Sequence, residues 1–296
     1  MAIDIDPAKL EAVATASAEA YEKAITHVQE EIKARDPENL GALVATLADE
    51  GPYAYTILPQ LGADGSVRLP LLLTKAEITE AYAFIRGLSD LHEVIGLTEV
   101  RGSWYLFQHN MTRGSRKDDH ENINNRETLS LFPSGAGPGI TGELVWLRVP
   151  RAQLGAPDDP DTKPEDPLLA RHAVHEQHQR HLESLRTNDV DAVLAGVHDL
   201  GASAVRDYVA GTGTLVELVG KDAHRAWYEA FFDRYEVLSV QPLCQTLDDW
   251  YVFSEQRLTV APRDGSGTLA FHTAEFHVVA RDGRIIARVG HGTEPA

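Results

Sequence analysis

Two stretches of the chain carry the same order of apolar and polar positions. Residues 75–107 read KAEITEAYAFIRGLSDLHEVIGLTEVRGSWYLF, a helical period followed by an extended run that closes on Trp-Tyr. Residues 221–253 read KDAHRAWYEAFFDRYEVLSVQPLCQTLDDWYVF without a gap, so Tyr82 falls on Tyr228, Trp104-Tyr105 on Trp250-Tyr251, and Phe107 on Phe253. A register kept over that length predicts one supersecondary unit used twice. Upstream, NLGALVATLADEG from Asn39 parallels DVDAVLAGVHDLG from Asp189. Asp36-Pro37 and Asn188-Asp189 offer caps for two short helices, and Gly51 and Gly201 are placed to end them. Longer amphipathic helices are expected before each, over about residues 8–35 and 168–187. Each half then predicts helix, short helix, two strands, helix, and three or four strands.

Between the halves lies a segment crowded with prolines and acids, which cannot build a core element. The expected domains are therefore 1–150 and 168–296, with an extended linker over 151–167. In the second half, Ala223, Ala226, Trp227, Ala230 and Phe231 share a helical stripe. After them the period changes to two. Ala270, His272, Ala274, Phe276 and Val278 share one strand face, and Leu269, Phe271, Thr273, Glu275 and His277 the other. Apolar residues on both faces predict a sheet covered on both sides, and Arg281-Asp282-Gly283 predicts a hairpin turn. Antiparallel strands on segregated helices make an α+β fold.

In element order, and in RHLESLRTNDVDAVLAGVHDLGASAVRDYV above all, each half resembles the superfamily of nuclear transport factor 2, SnoaL and ketosteroid isomerase. The resemblance implies two tandem cone-shaped domains, helices packed on a curved antiparallel sheet, as an intramolecular pseudo-dimer; a monomeric pseudo-dimer or a homodimer are both open. It also implies a deep apolar pocket in each cone. Counted from the capped short helix, Asp207 matches the proton-shuttling aspartate of ketosteroid isomerases, where an apolar site raises a carboxyl toward working pH. The same count puts His181 at the family's oxyanion tyrosine and Ala274 at its partner acid. Glu275 is next door on the opposite face. Asp207, His181 and His272 are thus the expected catalytic residues. Tyr208, Trp227, Tyr228, Phe231, Phe276 and His178 are expected to bind substrate. In the first half the matching positions, Thr56, Ile57 and Leu58, hold no acid, so the second half is the expected site.

Composition narrows the partners. A charge of −18 on 296 residues argues against nucleic acid and anionic membrane. The single cysteine, Cys244, and the absence of a signal-like start fit a cytoplasmic protein. No glycine-rich phosphate loop implies an organic cofactor. His172, His175, His178 and His181 recur along RHAVHEQHQRH, with His175 and His178 on the apolar stripe and His181 at its margin. They are read as core or solvated side chains, with no metal assigned. The function expected is acid–base catalysis of the isomerase, dehydratase or cyclase type on an apolar carbonyl-bearing small molecule. The rivals are a non-catalytic module that binds a hydrophobic ligand or assembles with partners, and a metal enzyme built on the histidines.

Overall fold

The computed structural model describes residues 6–56, 59–148 and 166–293. Most of the linker expected over 151–167 lies outside them, as do Ile57 and Leu58. In chain order the elements are α1 (Pro7–Lys33), α2 (Leu40–Ala45), β1 (Ala54–Thr56), β2 (Gln60–Leu61), β3 (Val67–Arg68), α3 (Lys75–Leu88), β4 (Ser89–Arg101), β5 (Tyr105–Arg116), β6 (Asp119–Pro133) and β7 (Gly142–Leu147). There follow α4 (Pro167–Arg186), α5 (Val190–Ala195), β8 (Val197–Arg206), β9 (Leu215–Val219), α6 (Gly220–Arg234), β10 (Tyr235–Leu247), β11 (Tyr251–Pro262), β12 (Leu269–Val279) and β13 (Ile285–Gly292). Two compact units result. One holds residues 6–56 and 72–147; the other holds 59–71, 148 and 166–293.

The units share one order of five strands, to which the second adds β9 at an edge. The first sheet runs β1-β7-β6-β5-β4, and the second runs β9-β8-β13-β12-β11-β10. In each, the strand after the short helix pairs in parallel with the last strand, and the other pairings are antiparallel. The correspondence reaches single residues. Register shifts at Leu91/Glu93 and Gly96/Thr98 recur at Val237/Ser239 and Pro242/Cys244. Such bulges bend a strand and raise its twist, which curves the sheet around the helices. Trp104 and Tyr105 meet edge-on at 4.9 Å, Trp250 and Tyr251 at 5.1 Å. The Trp104 carbonyl accepts from Ser134 N at 2.8 Å, and that of Trp250 from Val279 N at 2.8 Å. The fold is α+β, two curved sheets each packed against its own helices.

Each unit has an aromatic-rich core under its helices. The first gathers Tyr53, Tyr55, Ile78, Tyr82, Leu106 and Phe132. The second gathers Tyr208, Tyr228, Phe231, Phe232, Tyr235 and Phe271. Two expectations need correction here. Neither Gly51 nor Gly201 ends a helix: α2 stops at Ala45 and α5 at Gly196, and Gly201 lies inside β8. A Cβ on Gly201 would come within about 3.0 Å of the His198 and Ile285 carbonyls, so close strand packing explains the glycine. The stripe of α6 is turned by one position: His224, Tyr228, Phe231 and Phe232 are buried, Ala226 is exposed, and Trp227 is half-buried. Among the described residues no helix is long and apolar enough to cross a membrane.

Candidate functional site

The second unit gathers polar side chains, most of them buried, from α4, α6, β11, β12 and β13. On α4, capped by Asp166 and opened by Pro167, the buried positions are Val174, Gln177, His178, His181, Leu182, Ser184 and Leu185. His181 is therefore central to the stripe, and His175 is exposed, the reverse of the order expected. From β12, Glu275 and His277 share one face by the period of two. From β13 comes Arg288, and from α6 Tyr228.

Glu275 is the hub. Its Oε2 accepts from Arg288 Nε at 2.9 Å and Nη2 at 2.7 Å. Its Oε1 lies 3.0 Å from Gln256 Nε2 and 3.0 Å from His277 Nε2. Burial alone raises a carboxyl, but here the Arg288 charge and the His277 N–H more than offset it and hold Glu275 well below the usual carboxylate range. A carboxylate only accepts, so His277 donates from Nε2, and its second ring nitrogen is Nδ1. That Nδ1 is buried without a partner.

The other imidazoles crowd against it. The rings of His181 and His277 meet edge-on at 4.9 Å, those of His178 and His277 at 5.3 Å. His181 Nε2 and both ring nitrogens of His178 are also buried and unpartnered. Burial, and then the neighbouring His277, pushes His178 down to about 3 and His181 well below the ordinary histidine value. Both rings are thus neutral near pH 7. Arg288 Nη1 donates to the Tyr228 hydroxyl, which leaves the phenol's own hydrogen free. Burial raises Tyr228 and Arg288 opposes the rise.

The remaining sequence candidates fall elsewhere. Asp207 follows β8 and organises the turn to β9: its Oδ1 accepts from Val209 N at 3.0 Å and Ala210 N at 2.8 Å, and its Oδ2 from Thr212 Oγ1 at 3.2 Å. No hydrogen bond or ion pair joins it to His181. His272 and Phe276 lie on the β12 face opposite Glu275, because the helix-packed positions are the odd ones, with Phe271 in the aromatic core. Tyr208 packs on Phe271 at 4.4 Å with the rings tilted by 34°, and Trp227 lies parallel to Phe231 at 5.3 Å. Sequence reasoning put Glu275 and His277 on the strand face away from the expected site and gave Arg288 no role. The signal available was Glu-x-His at strand period, which commits both side chains to one face.

The first unit places a different set at the same positions. His27 Nδ1 lies 2.5 Å from Thr46 Oγ1 and its Nε2 2.9 Å from the Tyr82 hydroxyl, and Tyr82 donates to Glu143. His27, Tyr82 and Glu143 thereby satisfy one another, and Arg86 pairs with Glu31 beside them. The imidazole of His27 is thus bonded at both nitrogens, whereas the second unit leaves imidazole nitrogens open.

No family model matches the chain, and no curated protein matches it. Solved structures do. The chain is similar to a Delta 5-3-ketosteroid isomerase from Mycobacterium sp., at 16% identity and a TM-score of 0.36, over 42% of this chain and 97% of the other. It is similar to an LEH-like epoxide hydrolase of M. tuberculosis, at 19% identity and a TM-score of 0.34, over 44% of this chain and 86% of the other. A putative isomerase from Bacillus subtilis matches at 13% identity and a TM-score of 0.36, over 42% of this chain and 88% of that one.

Proposed function

We propose that the second unit is an acid–base enzyme of the isomerase, dehydratase or cyclase kind, acting on an apolar, carbonyl-bearing small molecule. One observation carries the reading: a Glu275–His277 pair whose second ring nitrogen, Nδ1, is buried with no partner, with the His178 and His181 rings packed against it. A base oriented by a carboxylate is the recurrent arrangement for proton abstraction. Here Arg288 and Gln256 fix the carboxylate, the carboxylate fixes the tautomer of His277, and Nδ1 is left to take a proton from the carbon beside the carbonyl. Tyr228 donates its phenol hydrogen to the carbonyl oxygen, where charge develops, with Arg288 behind it. Returning the proton to a different carbon completes an isomerisation; delivering it instead to a β-hydroxyl, which leaves as water as the C–O bond breaks, completes a dehydration. His181 and His178, both neutral, position the substrate. Asp207, engaged in its turn, has no part in this scheme.

The test is a panel of enones, hydroxy-ketones and epoxides with His277→Ala and Tyr228→Phe. Turnover is expected to fall by roughly 10²–10⁴-fold in each, with ligand affinity little changed. Full activity in His277→Ala would overturn the assignment. Ligand bound and recovered unchanged across the whole panel would favour a binding module.

A further inference from the structure

We propose that His181, His277 and Glu275 form a binding site for a late first-row divalent cation, zinc or ferrous iron. One ligand atom from each lies within 4.8 Å of the others, and all three side chains are buried. One spacing within the set is already that of a coordination sphere. Bonds of about 2.1 Å place neighbouring ligands roughly 3.0–3.4 Å apart around one ion, and His277 Nε2 stands 3.0 Å from Glu275 Oε1. An ion can therefore take the place of the proton between them. The third ligand, His181 Nε2, is buried and unpartnered.

A second observation is independent of that spacing. His178 is 1% exposed, has no partner at either ring nitrogen, and packs on His277. Leaving several buried nitrogens unbonded is costly unless something binds them. His178 stands outside the set of three, as a hydrogen-bonding partner for a metal-bound water. The outer partners are in place as well: Arg288 holds Oε2, and Gln256 donates to Oε1, whose other lone pair, now turned to His277, is the one an ion would take. Two imidazoles with one carboxylate suit zinc or ferrous iron, whereas calcium and magnesium take oxygen. Of the histidine row on α4 only His181 enters the set; His172 and His175 are exposed.

Binding does not depend on the proposed reaction. Where that reaction holds, the ion stops it, because metal on Nε2 keeps the proton of His277 on Nδ1.

The experiment uses the whole chain, stripped with chelator and titrated with zinc and cobalt(II) by calorimetry and by the electronic absorption of cobalt. One ion per chain is expected. His181→Gln and Glu275→Gln should weaken it beyond the roughly 10–100-fold that loss of an outer partner costs, while His175→Gln binds as the parent does. A folded parent chain that takes up no ion overturns the proposal, and so does unchanged affinity in His181→Gln. Should the core variants fail to fold, the parent and a His172→Gln/His175→Gln double variant decide. Their melting temperatures should rise equally with zinc; a rise lost in the double variant places the ion on the exposed histidines and overturns the proposal.

Discussion

His224 on α6 and Ser203 on β8 form a buried pair whose protonation can be read from geometry. The Gly220 carbonyl lies 2.7 Å from His224 Nδ1 and only accepts, so Nδ1 carries the hydrogen. Nε2 then accepts from Ser203 Oγ at 2.7 Å. Burial pushes His224 down to about 4; the Gly220 bond opposes this, and Arg288 adds to it. The unfolded chain takes its proton near 6.5, ahead of the folded one. Stability from this group is thus complete above about pH 6.5 and is lost as pH falls toward 4, by up to about 3 kcal/mol. Urea unfolding across that range should show His224→Gln with a shallower decline than the parent; equal slopes would refute the neutral, buried ring. The chemistry of single residues was only partly legible in the sequence. His181 and Tyr228 were singled out by position and lie in the site. Glu275 was set aside because the alternation along β12 defines two faces without saying which meets the helices. Phe271 and Phe276 make both faces apolar, and from Ala274 onward both are buried. Asp207 matched a count along the chain, but the turn that follows it uses every oxygen of its carboxylate.

Elements were more legible than side chains, because period and caps are local. The helix expected over 168–187 is α4, and the hairpin at Arg281-Asp282-Gly283 joins β12 to β13 with Gly283 at a φ of 79°. What period could not give was rotation about the helix axis. The stripe of α6 turns by one position because His224 is bonded inward to Ser203, and a histidine does not announce burial. The matching helices also start differently. α3 has a reciprocal cap, with Glu77 N donating to Thr74 Oγ1 at 3.2 Å and Thr74 N to Glu77 Oε2 at 3.0 Å. Val219, before α6, has no side chain to offer. Thr74→Ala should therefore cost the first unit about 1 kcal/mol, read as a lower urea midpoint with an unchanged slope. Stability equal to the parent would mean that α3 is held by packing alone.

At the scale of the whole molecule, topology followed from the repeated pattern, and the membership of residues 59–71 did not. Their grouping with the second unit rests on contacts that leave no periodic trace. Glu217 Oε1 on β9 accepts from Leu69 N at 2.6 Å, and the same carboxylate pairs with Arg68. β3 packs beside β8 and β9, with Val67 3% and Leu69 0% exposed. Leu69→Ala removes a fully buried side chain, a change that costs about 2–5 kcal/mol where the site cannot collapse. The cost should fall on the unit that owns the residue. Native-state hydrogen exchange resolves this, because amides report the opening of their own cooperative segment. Protection is expected to drop in β8 and β9 of the Leu69→Ala chain and to persist in α1, β5 and β6. A drop confined to β1 and α3 would return residues 59–71 to the first unit.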